Sequence, residues 1–194
     1  MRISSVAFIL LLGISACSAQ EIPDTNIQIE QALLALPEEL REEASVLGYK
    51  DKMELTMIRK GSNSLICLAD DPQKDGFSVA AYHKDLDPFM ERGRILKQEG
   101  KSAKEIFDIR ENEVASGKIK IPSGSILYIA SGTFDEQGQP TDIYQRYVVY
   151  IPYATTESTG LALKPSYPGG PWIMNPGTHR AHIMINPTIV KNEQ

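Results

Sequence analysis

The feature that most constrains the fold lies in the last third of the chain. Ser125–Ser131 (SILYIAS) and Ile143–Ile151 (IYQRYVVYI) are runs rich in β-branched and aromatic residues. Between them lies the polar loop Asp135-Glu136-Gln137-Gly138-Gln139. Two such runs around a glycine-containing loop predict a hairpin, which commits the chain to antiparallel sheet. In the second run Tyr144 and Tyr150 fall on one face and Tyr147 and Val149 on the other, so the strand is expected to be covered on both sides.

Upstream, Met53–Arg59 and Asn63–Ala69 read as strands joined by the turn Lys60-Gly61-Ser62, with a third strand at Gly76–Tyr82. Three amphipathic helices are expected. Within Gln31–Tyr49, Pro37-Glu38-Glu39 gives a start, Leu40, Ala44 and Leu47 an apolar stripe, and Gly48 a stop. Asp85 is placed to cap a helix carrying Leu86, Phe89, Met90, Gly93 and Leu96, ending near Gly100. Ser102 and Glu105 form a capping box for the third, whose inner stripe includes Phe107 and Arg110, the latter expected to snorkel. Leu163–Pro176 is punctuated by proline and reads as loop with a short strand at Pro171–Met174, and Ala181–Ile185 closes the chain as a strand. Strands with segregated helices predict an α+β single domain with a mostly antiparallel sheet.

The N-terminus reads as an address. Arg2 precedes the apolar run Val6–Ile14, which is too short to span a bilayer but has the length of a signal-peptide core. Ile14-Ser15-Ala16-Cys17 resembles the bacterial lipobox, which implies a signal peptide over residues 1–16 and lipid on Cys17. Ser18 after it fits outer-membrane sorting; cleavage after Ala19 would instead give a freely secreted protein. Residues 17–30 read as a polar tether and 31–194 as the domain. The expected location is extracytoplasmic, in the cell envelope, with the membrane reached through a lipid anchor. Either processing route leaves Cys67 as a lone thiol, buried and inert by default.

With 20 Lys+Arg against 25 Asp+Glu the formal charge is −5, and loss of Arg2 with the leader takes it to −6. That balance argues against a nucleic-acid partner. No nucleophile elbow, phosphate loop, dinucleotide fingerprint or HExxH motif occurs. Candidate chemistry therefore rests on scattered residues. The chain's three histidines, His83, His179 and His182, would form a three-His site for a divalent metal such as zinc if they converged. His83 with Asp85 and Asp87 is a rival grouping for harder ions, and structural hydrogen bonding is the competing role for all three histidines. Arg180, beside Gly177-Thr178, could hold a carboxylate or phosphate; an ordinary ion pair with an acid is its commoner role. The hydroxyl-rich Thr155–Gly160 reads as a loop satisfying its own turns. Trp172 reads as core.

Two stretches carry a resemblance: Pro171-Trp172-Ile173-Met174-Asn175-Pro176-Gly177-Thr178-His179-Arg180-Ala181-His182-Ile183-Met184 and Ala81–Met90. With Leu36-Pro37…Leu40-Arg41 they resemble a group of uncharacterised secreted bacterial proteins and lipoproteins. In that group the terminal segment also occurs as GTPYAHLM, which matches His182 but not His179 or Arg180. The resemblance implies a shared fold and an envelope address, and names no reaction. Three functions are thus expected to compete: a ligand- or metal-binding lipoprotein with a polar pocket near His83, His179, Arg180 and His182; a metal-dependent hydrolase using the same histidines with Asp85 as base; and a structural lipoprotein docked to an envelope complex.

Overall fold

The computed structural model describes residues 21–50 and 54–187. The expected signal peptide and the expected lipidation site, Cys17, fall outside the described residues. Those residues form an eight-stranded mixed sheet in the order β2-β1-β3-β4-β5-β6-β8-β7. The strands are β1 (Ser45–Tyr49), β2 (Leu55–Arg59), β3 (Leu65–Leu68), β4 (Phe77–His83), β5 (Ile126–Phe134), β6 (Pro140–Tyr150), β7 (Trp172–Met174) and β8 (His182–Ile185). Only β1 and β3 run parallel; the remaining pairs are antiparallel. With α1 (Thr25–Leu33), α2 (Asp87–Gln98) and α3 (Ala103–Ala115), the chain is a single α+β domain.

The predicted hairpin is β5–β6, and its loop is organised by one side chain. Asp135 Oδ1 accepts the backbone N–H groups of Gln137 (2.9 Å) and Gln139 (2.8 Å). The capping box also forms: Ser102 Oγ accepts the Glu105 N–H, and Glu105 Oε2 accepts the Ser102 N–H at 2.9 Å. Asp85 does not cap α2. It lies in a 3-10 turn, Lys84–Leu86, and α2 begins two residues later with Pro88 in its first turn.

The N-terminal region departs most from expectation. Pro37 begins only a 3-10 turn, Glu38–Leu40, and Ser45–Tyr49 is a strand. Ala44, Val46 and Gly48 alternate with Ser45, Leu47 and Tyr49, and pairing with both β2 and β3 decides between the two periodicities. The helix lies earlier, at Thr25–Leu33, so the polar tether does not extend through residue 30. Gln28 explains how a polar segment docks. It is 4% exposed, and its side-chain amide accepts the Tyr49 N–H (2.7 Å) and donates to the Tyr49 carbonyl (3.0 Å), completing the end of β1. Because β1 sits between β2 and β3, the turn Lys60–Ser62 joins strands that are not neighbours.

Side-chain alternation gives the sheet two covered faces. Phe77, Val79 and Ala81 of β4 pack with Val46, Cys67 and the α1 side, through Ala32 and Leu36. Tyr82 of the same strand, with Leu127, Val148, Tyr150 and Met184, packs against Leu86 and Phe89 on the opposite side. Among the described residues no helix is long and apolar enough to cross a membrane.

Candidate functional sites

The turn Asn175-Pro176-Gly177-Thr178 directs His179 off the sheet and into the helical layer. Asn175 (φ +50°) and Gly177 (φ +74°) are left-handed, and Thr178 Oγ1 donates to the Asn175 carbonyl at 2.8 Å while accepting the Arg180 N–H. Thr178 is thereby committed to the turn. His179 meets α3, where Glu111 Oε2 accepts both its backbone N–H (2.9 Å) and its Nδ1–H (2.7 Å). The Tyr153 hydroxyl donates to the same carboxylate. Burial would raise the Glu111 pKa, but these bonds outweigh it and the net shift is downward. The His179 ring is fully buried, edge-on to Phe107 (4.8 Å) and Phe89 (5.7 Å).

His182 holds the Arg180 carbonyl through Nδ1 at 2.6 Å and tilts against Tyr150 at 5.8 Å. His83 ends β4 with the parity of Ala81 and pairs with Leu65, so it belongs to the α1 face of the sheet. Its Nδ1 accepts the Asp85 N–H at 3.2 Å.

The three-His metal site is therefore not formed. Strand alternation puts His83 on one face and His182 on the other, and His179 is enclosed between aromatic rings. Among the described residues no group of three or more His, Cys, Asp or Glu could hold a metal ion, which also removes the His83–Asp85–Asp87 grouping and the metal-dependent hydrolase built on these residues. Asp87 instead accepts from Arg94 and Tyr82. Nor do His83, His179, Arg180 and His182 share one pocket: His83 lines a shallow depression with Ser123, Ile126 and Tyr128 on its own face.

Burial, outweighing Glu111, lowers the His179 pKa, and burial also lowers that of His182. Both are neutral in the folded protein near neutral pH. As pH falls below about 6.5 the unfolded chain gains protons that the native state refuses, so stability is full above that pH and declines below it. A lower urea midpoint is expected at pH about 5.5 than at about 7.5, worth on the order of 1 kcal/mol. His179→Gln, which does not titrate yet can still donate to Glu111, should shrink the difference. Glu111 works in a separate window: its lowered pKa contributes stability above its ordinary value of 4.5 that is lost as pH falls further.

A cleft of about 490 Å³ lies elsewhere, between α2 and the sheet face of β1, β3 and β4. Leu47, Leu68 and Ala80 form its floor and Ile95 an apolar wall. Five of its charges are held in place by one another. Asp71 accepts from Lys97 Nζ at 2.9 Å, with Lys74 at 3.6 Å, and these partners outweigh burial to keep its carboxyl below the usual range. Arg94 donates to Asp87 (2.9 Å) and to the Tyr82 hydroxyl (2.8 Å), which itself donates to Asp87 (2.8 Å). Behind Asp71, burial pushes the Asp70 carboxyl up to about 6. An apolar floor with a fixed polar rim suits reversible binding of a small amphipathic molecule.

These residues come from four separated segments; of them only Asp87 and Tyr82 stand in the Ala81–Met90 stretch singled out in the sequence, and only the hydrophobic alternation of the strands could have hinted at the floor. Cys67 is fully buried, its thiol pushed up to about 12 by burial. Thr155 and Ser158 cap each other's backbone in a short helical turn, so those hydroxyls are satisfied locally. Comparison with family models, with curated proteins and with solved structures finds no match to this chain.

Proposed function

We propose that this chain is an extracytoplasmic bacterial envelope protein that binds a small amphipathic molecule in the cleft between α2 and the sheet. The observation carrying the proposal is the cleft itself, whose volume of about 490 Å³ lies in the range of small-molecule sites. Its pre-paired charges favour recognition, since a rim held rigid costs little ordering on binding. The lipobox-like Ile14–Cys17, with the resemblance to secreted bacterial proteins, supports attachment to the outer membrane through lipid on Cys17. The acidic balance supports a partner other than nucleic acid.

A fragment screen followed by amide chemical shifts tests the binding site. Fragments that bind should perturb Leu47, Ala80, Arg94 and Ile95 together. Ala80→Leu, which fills the floor, should weaken those fragments by about tenfold or more, given that such pockets bury most of a ligand's surface. Hits that map elsewhere, or that bind Ala80→Leu as well as the parent, would remove the proposal.

A further inference from the structure

Arg110 turns inward from α3, against the expected snorkelling, and lays its guanidinium 4.0 Å over the Phe89 ring. An unpaired charge that faces a cavity lies instead on α2. Asp87, Glu91, Arg94 and Gln98 recur at spacings of three and four, which is one face of a helix, and all four line the cleft.

Among the described residues, each cation lining the cleft is already engaged by a carboxylate. Lys97 (2.9 Å) and Lys74 (3.6 Å) both hold Asp71, and Arg94 holds Asp87 at 2.9 Å. Arg94 follows Glu91 at the spacing of a helical ion pair, but its guanidinium is turned to Asp87 and the Tyr82 hydroxyl. Glu91 is exposed, and among the described residues its carboxylate has neither an ion pair nor a hydrogen bond. Glu54 contributes a further carboxylate to the lining. Tyr49, at the end of β1, adds an aromatic wall to the same cleft. Burial first, then the carboxylates of Asp71 and Asp70, raise its pKa against the pull of Arg94, so negative charge outweighs positive at that wall.

We infer that the ligand of this cleft is a small amphipathic amine, with its ammonium on the Glu91 carboxylate and its apolar body over Leu47, Leu68 and Ala80. The inference rests on the cleft being the ligand site and adds the sign of the ligand's charge. An ammonium finds a carboxylate free to accept its N–H groups, and an aromatic wall also attracts it. An anionic head group would have to displace Asp71 or Asp87 from the cations that hold them. A neutral head group gains nothing from Glu91. Because Glu91 is exposed, the gain is that of a surface ion pair, which salt weakens.

Three probes with one tail separate the charge from the apolar body: hexylammonium, hexanol and hexanoate, titrated into the full chain near neutral pH and followed by amide chemical shifts. Hexylammonium should bind about fivefold more tightly than hexanol, and hexanoate more weakly than hexanol. Glu91→Gln, which has no partner to lose, should bring hexylammonium down to the level of hexanol and leave hexanol unchanged. Glu136→Gln removes the same charge from the β5–β6 loop and should keep the preference. Raising the salt from about 20 mM to about 500 mM should shrink the hexylammonium advantage. If hexanol moves the Leu47, Ala80 and Ile95 amides and hexylammonium binds no more tightly, the cleft stands as the site and the amine assignment is overturned. An advantage that persists in Glu91→Gln overturns it equally. If none of the three probes moves those amides, the cleft itself is lost as the ligand site, and the amine assignment with it.

Discussion

Phe89→Ala is expected to lose about 3–5 kcal/mol of unfolding free energy, the range for truncating a fully buried aromatic ring. Phe89 is 0% exposed and joins three parts of the structure. Its ring meets Tyr150 of the sheet at 5.9 Å and His179 of the C-terminal turn at 5.7 Å, and carries the Arg110 guanidinium at 4.0 Å. Truncation leaves a cavity and also removes the aromatic face opposite a buried cation, whose desolvation then goes uncompensated. Urea titration monitored at Trp172, which packs against the same cluster, measures the loss. A change below about 1 kcal/mol would mean that the layer is not packed as described.

Gly61→Ala should cost about 3 kcal/mol, at the upper end for overpacking, because the added atom meets backbone rather than side chain. A Cβ at this position would collide with the Glu43 carbonyl and with the backbone of Ala44 and Ser45. Gly61 N–H also donates to Ser45 Oγ (3.0 Å), and the Ser62 and Asn63 N–H groups donate to the Glu43 carbonyl. The β2–β3 connection is thus laid directly across the start of β1. Relief would require β1 to move, and β1 is hydrogen-bonded on both sides and supplies Leu47 to the cleft floor. The variant should therefore lose stability and bind cleft ligands more weakly. Parent-like values of both would show that the crossing is looser than the geometry implies.

The legible parts of the fold are those decided by local chemistry. The Asp135–Gln139 loop and the Ser102–Glu105 box satisfy their own backbone groups, so the hairpin and α3 could be read from a few residues. The N-terminal strand is hidden in the sequence because Leu40, Ala44 and Leu47 fit a helical stripe while Ala44 and Val46 fit strand alternation equally well. Long-range pairing with β2 and β3 settles that choice, and no local pattern contains it. The histidines failed as a metal site for a related reason. Spacing along the chain says nothing about which face of the sheet His83 will occupy relative to His182. Arg110 was visible as a stripe member, but the space that admits it is created by Gly93 on another helix.

The α2–sheet cleft is the proposed ligand site. A crystal structure of the protein soaked with the tightest-binding fragment tests it most directly. Continuous ligand density over Leu47, Leu68 and Ala80, in contact with Arg94 or Asp71, is the predicted result. Density confined to the α1 face beside His83, or to the proline-punctuated loop between Leu163 and Pro171, would contradict it.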